Sequence, residues 1–544
     1  MTASQRPSPA SFRILICDEL APQAMEVFRS RGFEPEVAIG MKEEELLQRV
    51  KGVHALVVRS ATKVTRRVIE AADALRVVGR AGVGVDNVDC DAASERGVVV
   101  MNTPTGNTTT TAELALALMF ALARHVTKAD RETKKGGWGK KGMMGTEITG
   151  KTLGVIGLGR IGKVVADRAL GLKMKVIAHD PFLNAAGAAG LASGAAPMAG
   201  VELADLDTLL ARSDFVTLHV PMLDGTKNLL SKERIAKMKK GARLINCARG
   251  GLVDEAAALD AVEKKHLAGL AFDVLAEEPP AKEHPLLGKD DVIVTPHLGA
   301  SSNEAQLAVA VDVARQISEF LLDGVANNAV NVPAVGSQDL REVGPYVVLS
   351  EKLGAFLAQV AGGPITKLEL TVSGEIAKKD WRHVPLALLS SVLRQNHDYG
   401  VNFVNAPLLA KERGLEVFER AEPEHGVYPS CITVRATDAR GGAHTVEGTL
   451  FGKSPRIVRF DELELDLEPK GAVLVTRHAD EPGVVGALGT LLARHQVNIR
   501  RVELGPAGAG LAMGLLSLYG TPSKTVLDDV KQLHAVREAR LLSL

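Results

Sequence analysis

The chain predicts a fold of successive α/β units followed by a mixed α+β tail, on three observations. Short β-rich runs alternate with amphipathic stretches from Phe12 to about residue 298, the pattern of parallel sheets covered by helices. At 544 residues the chain exceeds what one hydrophobic core organises, so three or four domains are expected. With 46% hydrophobic and 24% charged residues, the composition is that of a globular protein and excludes a largely disordered chain.

Taken in order, residues 1–11 are polar, contain Pro7 and Pro9, and read as a frayed tail without the apolar core of a signal peptide. A first group of strands is predicted at 13–17, 55–59, 76–78 and 98–101. The apolar run 114–123 is too short to span a bilayer and predicts a buried helix. A second group of strands is predicted at 152–156, 175–178, 215–219, 243–246, 269–272 and 292–295. The periodic stretch 304–322 predicts a long helix, with Gly324 and Pro333 marking its end and a linker. From about 330 to 469, helical runs such as 353–360 mix with alternating runs such as 432–436, an α+β region without a legible chemical motif. The last segment, 470–544, offers strands at 473–476, 497–504 and 513–519 with helices at 482–494 and 525–533, which suggests a ferredoxin-like module.

Lys plus Arg and Asp plus Glu balance at 65 each, so there is no global basic field to hold nucleic acid or an anionic membrane. An anionic ligand must then be caught by a local site. Cys17, Cys90, Cys247 and Cys431 lie far apart without a CxxC pair, as in a reducing compartment, and a cytoplasmic address is expected.

The strongest motif is Gly157-Leu158-Gly159-Arg160-Ile161-Gly162, which follows an apolar strand and opens a helical run. Gly157 permits a tight turn, Gly159 lets the backbone approach a pyrophosphate, and Gly162 lets the helix pack on the sheet. The amides at Arg160 and Ile161 begin a helix whose N-terminus favours phosphate. Asp180 ends the next strand, where a carboxylate accepts from ribose hydroxyls and repels the 2′-phosphate of NADP. A Rossmann-like domain binding NAD is the expectation.

Three polar residues follow later strands: Arg249, Glu278 and His297. In open α/β sheets ligands bind beyond the carboxyl ends of strands, so all three are expected at one crevice. Oxidising a 2-hydroxy acid requires a base for the hydroxyl proton, a cation for the carboxylate and a placed nicotinamide. His297 suits the first role with Glu278 orienting it, and Arg249 suits the second. Taken singly, each is an ordinary solvated Arg, loop Glu or turn-capping His; their joint placement points to chemistry.

These residues, with Val58-Arg59-Ser60-Ala61-Thr62, Gly79-Arg80-Ala81-Gly82-Val83-Gly84-Val85-Asp86-Asn87-Val88-Asp89, the segment 246–255 and the segment 296–301, resemble the D-isomer-specific 2-hydroxyacid dehydrogenase family over nearly the whole chain. The resemblance implies that Arg249, Glu278 and His297 are catalytic. It adds His219, Val220, Pro221, Cys247, Ala248, Asp273 and Gly299 to the cofactor site, and Arg59, Ser60, Gly82, Val83, Gly84 and Asn107 to the substrate site. It implies a discontinuous first domain, 12–107 with 299–329, around an inserted NAD domain, 108–298. Lys140 and Lys141 after Trp138 resemble a basic loop that relatives send across a dimer interface, though such a pair is more often a solvated corner.

The tail resembles that of the family's long members, an intervening domain at 330–469 and an ACT domain at 470–544. This implies 3-phosphoglycerate as the anionic 2-hydroxy acid, L-serine as a feedback effector near His478, Asp480 and Asn498, and a homotetramer. Asp480 also reads as a plain helix N-cap, Asn498 as a turn residue and the module as an oligomer interface. Lys453, Arg456 and Arg459 suggest an anion site or, more simply, a solvated basic edge. Two rival functions remain open: the same chemistry on glycerate, glyoxylate, lactate or 2-oxoglutarate, and an NAD(H)-sensing protein without catalysis.

Overall fold

The structure is a computed structural model, which describes residues 8–183, 198–333, 337–394, 400–424 and 426–544, without the side chains of 337–341. Of the expected tail, residues 1–7 lie outside the described residues. Pro9–Ser11 forms one 3-10 turn instead of loose chain, with Pro9 packed 3.3 Å from the position a Cβ would take at Gly32.

The first sheet is parallel throughout. Its strands are β1 (Ile14–Ile16), β2 (Glu36–Val37), β3 (Ala55–Val58), β4 (Val77–Arg80) and β5 (Val99–Asn102), in the order β2-β1-β3-β4-β5. Strands such as Ala55-Leu56-Val57-Val58 are buried on both faces, which is why they read as unbroken apolar runs. The apolar helix α1 (Thr108–Ala123) then leaves this sheet and packs on the second.

The second sheet contains β6 (Thr152–Ile156), followed by α2 (Arg160–Gly171), then β7 (Lys175–His179), β8 (Val201–Leu203), β9 (Phe215–Leu218) and β10 (Arg243–Asn246). After α3 (Glu255–Glu263) come β11 (Gly269–Phe272) and β12 (Val292–Val294). All pairs are parallel, in the order β12-β11-β10-β9-β6-β7-β8. Strand order reverses between β6 and β9, and a crevice opens at such a switch point. Helix α4 (Asn303–Asp323) returns to the first sheet, where Val309, Val313 and Ile317 pack with Ile14, Val57, Val77 and Met101. The two chain crossings between the sheets are tied: Thr111 Oγ1 donates to the Gly299 carbonyl at 2.7 Å, and the Thr110 and Ser302 hydroxyls lie 3.0 Å apart.

Helix α5 (Ser337–Val360) leads to the third sheet. The predicted helix at 353–360 is only its end; the helix also takes in Gly344 and Pro345. The sheet holds β13 (Ile365–Gly374), β14 (Glu416–Glu422), β15 (Ser430–Asp438), β16 (Ala443–Phe451), β17 (Ser454–Phe460) and β18 (Leu463–Leu467), in the order β14-β13-β15-β16-β17-β18. The fourth comprises β19 (Ala472–Ala479), α6 (Val484–Arg494), β20 (Ile499–Pro506), β21 (Leu511–Leu518), α7 (Lys524–Lys531) and β22 (Val536–Ser543), in the order β20-β21-β19-β22. Strand β22 completes the ferredoxin-like order and was not foreseen. Its charges at Arg537, Glu538 and Arg540 blur the alternation. Val473, Leu515 and Leu542 of this sheet share one core with the third sheet. Among the described residues, no helix is long and apolar enough to cross a membrane, and no cluster of His, Cys, Asp and Glu could hold a metal ion.

Candidate active site

The glycine turn joins β6 to α2. Gly157 has φ +92°, and a Cβ there would lie 2.6 Å from the His219 carbonyl oxygen; a Cβ at Gly162 would overlap the Gly157 carbonyl. Above Gly159 there is open space, as a pyrophosphate against this backbone requires. Asp180 sits just past β7, with one oxygen 2.9 Å from the Leu158 amide and the other 3.0 Å from the Phe182 amide. The donors, the space and the acid therefore fit a dinucleotide without a 2′-phosphate.

The other expected cofactor residues fall at the carboxyl ends of β9 to β12. His219 Nε2 lies 3.0 Å from Thr217 Oγ1, Nδ1 is buried without a partner, and burial pushes the imidazole pKa down to about 4. The ring is thus neutral at pH 7. Val220 and Pro221 follow it, and Cys247 and Ala248 follow β10; burial pushes the Cys247 thiol up, so it stays protonated. Asp273 is buried, and burial raises its pKa against three donors: Thr295 Oγ1 at 2.6 Å, the Leu298 amide at 2.7 Å and the Gly299 amide at 2.8 Å. These bonds shape the turn that carries His297.

His297 needs that support because its φ is +54°, a left-handed backbone that a side chain disfavours. Its amide also donates to the Asp273 carbonyl at 2.9 Å. The turn aims Nδ1 at Glu278 Oε2, 2.7 Å away, and the other oxygen of Glu278 accepts the Leu275 amide at 3.1 Å. With Nδ1 donating to the carboxylate, Nε2 carries the free lone pair of a base. Arg249 lies between the two sheets, its Nε 3.1 Å from Asp86 and one Nη 2.7 Å from the Ala248 carbonyl. Arg249, Glu278 and His297 line one cleft of about 690 Å³ together with Ser60 and Arg80.

The loop after β4 explains its own glycines. A Cβ at Gly84 would overlap the Arg249 guanidinium, and one at Gly82 would overlap that of Arg80. Gly82, Val83 and Gly84 thus make room for two guanidinium groups. Arg80 was not foreseen as a site residue. Burial, then the positive charge of Arg249, push its pKa down to about 10, and its Nε is buried without a partner. It remains charged at neutral pH, and an anion would relieve the repulsion. Asn107 offers a second unmet group, a buried amide oxygen.

Arg59 behaves differently from Ser60. Its guanidinium reaches the Glu19 carbonyl at 3.4 Å, while Ser60 lines the cleft. Their loop is braced by the buried Asp18, which accepts from the Arg59 amide at 2.5 Å and from Thr62 Oγ1 at 2.8 Å. Asn87 Nδ2 donates to the carbonyls of Arg59 and Thr62, each at 2.6 Å. Lys140 and Lys141 stand on an exposed loop beside Trp138, which is 90% exposed.

In the tail, His478 is buried with Nδ1 2.9 Å from the Ala479 carbonyl and Nε2 unpartnered. Asp480 is not the N-cap of α6; Gly483 holds that place, and the Asp480 amide donates to the Gly510 carbonyl at 3.1 Å. The Asn498 carbonyl accepts from the Tyr519 amide at 2.9 Å. Arg456 and Arg459 are ion-paired, the first with Asp466 at 3.1 Å and the second with Glu447, while Lys453 occupies the turn between β16 and β17.

A dinucleotide turn at the carboxyl end of one strand, with an imidazole–carboxylate pair and two guanidinium groups in a cleft past the ends of others, is the equipment of an NAD-dependent dehydrogenase. Residues 116–299 match the D-isomer specific 2-hydroxyacid dehydrogenase NAD binding domain, 342–461 the D-3-phosphoglycerate dehydrogenase intervening domain, and 472–538 the ACT domain. The chain is 40% identical over 535 residues to the D-3-phosphoglycerate dehydrogenase of Archaeoglobus fulgidus, covering 98% of this chain and 100% of that one. It is 41% identical over 523 residues to the protein of that name from Mycobacterium tuberculosis, covering 95% and 96%. A solved structure of NAD-bound 3-phosphoglycerate dehydrogenase from Entamoeba histolytica aligns with TM-score 0.50 and 27% identity over 59% of this chain and 99% of that one. The chain belongs to the D-isomer specific 2-hydroxyacid dehydrogenase family.

Proposed function

We propose that the chain oxidises 3-phosphoglycerate to 3-phosphohydroxypyruvate with NAD, the opening step of L-serine synthesis. The observation that carries this reading is the 2.7 Å contact between His297 and Glu278 in a cleft that also holds Arg249 and the unpaired Arg80. When bound, NAD accepts the hydride from the carbinol carbon. His297 Nε2 takes the hydroxyl proton, and Glu278 orients the ring and stabilises the imidazolium. Arg249 grips the carboxylate. Arg80 and Ser60 hold the phosphate, with the Asn107 Nδ2–H as a further donor to the substrate. Gly157, Gly159, Gly162 and Asp180 seat the cofactor. The same proposal includes an amino-acid effector, L-serine, at the ACT domain and assembly as a homotetramer in the cytoplasm; the ACT-domain match at 472–538 supports the effector.

The test is NADH oxidation with 3-phosphohydroxypyruvate, hydroxypyruvate, glyoxylate and 2-oxoglutarate, with and without L-serine. The phosphorylated substrate should win by about 100-fold or more in kcat/KM, because its loss leaves buried cations unmet. Equal turnover of hydroxypyruvate would overturn the substrate assignment. No NADH consumption with any of the four would favour a nucleotide-sensing protein.

A further inference from the structure

Arg249 and Glu278 leave different strands, β10 and β11, yet must face one ligand at a fixed separation. Two contacts join their segments behind the cleft. One is steric: the backbone at Gly250 runs so close to Leu275 that a Cβ would overlap the Leu275 carbonyl. The other is polar. Glu255, the first residue of α3 on the Arg249 side, accepts the Ala276 amide at 2.7 Å with one oxygen, and the other oxygen lies 3.3 Å from His284 Nε2. Ala276 is two residues from Glu278, and the Leu275 amide beside it is the one Glu278 itself accepts. The His284 ring is set in turn by the Leu286 amide, 3.4 Å from Nδ1, which leaves Nε2–H for Glu255. Both side chains are largely buried, at 20% and 17% exposure. A surface ion pair would not be so enclosed, and its carboxylate would not be spent on a loop amide.

We infer that Glu255, backed by His284, is a positioning residue: it sets the distance between the guanidinium of Arg249 and the Glu278–His297 pair. It touches neither substrate nor cofactor. The inference rests on the roles proposed above for those three residues. Displacing a catalytic segment by about 1 Å can cost as much as 100-fold in rate.

The test uses the full chain as Glu255→Ala, Glu255→Gln, His284→Ala and, in parallel, His297→Ala. kcat and KM with 3-phosphohydroxypyruvate, NADH affinity by fluorescence titration, and thermal midpoints are measured. Glu255→Ala should lower kcat about 30-fold and leave NADH affinity within about twofold; Glu255→Gln, whose amide oxygen still accepts from Ala276, should recover to within about threefold. His284→Ala should lower kcat about fivefold. A kcat for Glu255→Ala within twofold of the parent, or a Gln variant as impaired as the Ala variant, overturns the inference. If Glu255→Ala does not fold, His284→Ala decides, and an unchanged kcat there overturns it. Full turnover in His297→Ala would sink the site assignment itself, whereas loss there with an unaffected Glu255→Ala sinks only the positioning role.

Discussion

The catalytic cleft and the third sheet differ in what they leave unmet: in the cleft Arg249 and His297 have acidic neighbours in Asp86 and Glu278, but the Nε of Arg80 has no partner. In the third sheet both arginines of β17 have acidic partners: Arg456 meets Asp466, which also takes Arg501 at 3.0 Å, and Arg459 meets Glu447. Two tail histidines follow suit, His444 on Asp461 at 2.8 Å and His495 on Asp529 at 2.7 Å, whereas His478 meets only the Ala479 carbonyl. In the cleft, Arg80 feels Arg249 as a like charge and its Nε is unmet, and beside the glycine turn His219 has only a hydroxyl for company. Uncompensated charge in a buried place costs folding free energy, and an incoming anion or cofactor removes that cost. Arg456 and Arg459 each have their own acidic partner within the tail, so the basic residues of β17 act as joints between strands and not as an open anion site.

The comparison breaks most visibly at His297. Replacing it with Ala should lower kcat about 1,000-fold, since a positioned base is worth roughly 100- to 10,000-fold. NADH affinity, read by fluorescence, should stay within about twofold because His297 lies past the dinucleotide turn. Undiminished turnover would remove the imidazole from the reaction and leave the left-handed turn around it without a purpose.

How much of this was legible follows from where each signal lives. The dinucleotide turn could be read because three glycines, a preceding strand and a terminal acid are local features in a fixed order. Arg249, Glu278 and His297 could be read because parallel strands send their carboxyl ends to one edge, so sequence position stood in for spatial position. Arg80 escaped although it ends an apolar strand just as Arg59 does. What distinguishes them is burial against the Gly82 loop, a fact of the folded chain. Asp18 and Glu255 escaped for a related reason: their partners lie 41 and 21 residues away. Their carboxylates bond backbone amides, which carry no residue signature. Strand β22 was hidden because Arg537, the extra residue of a bulge opposite Arg477 and His478, and Glu538 beside it break the alternation.

Histidine protonation sharpens the comparison further. The folded state holds His219 at about 4 against the ordinary 6.5 of a solvated ring in the unfolded chain, so the unfolded state binds the proton first as pH falls. Stability supplied by this neutral ring is complete above about pH 6.5 and is lost as pH drops toward 4, at most about 3 kcal/mol in all. The residue as a whole is only half-buried, so the realised share is smaller. His219→Gln should therefore flatten the fall in Tm between pH 6.5 and pH 4. Parallel curves for parent and variant would mean that the imidazole takes its proton in the cleft as readily as in solvent.

The smallest effect is the most discriminating, because activity and stability should move in opposite senses. Arg80→Met keeps the bulk of the side chain and removes the charge. The KM for the phosphorylated substrate should rise about 30-fold, worth about 2 kcal/mol, while kcat and the KM for hydroxypyruvate change less than about threefold. Thermal stability should hold or rise, since a cation repelled by Arg249 has left a desolvated place. Arg456→Ala in the tail should do the reverse: kinetics unchanged, stability lower by up to about 1 kcal/mol, with Asp466 still held by Arg501. Should Arg80→Met destabilise the fold and spare KM, Arg80 would belong with the tail arginines as a structural cation. The phosphate would then fall to Ser60 and to Arg59 swinging away from the Glu19 carbonyl.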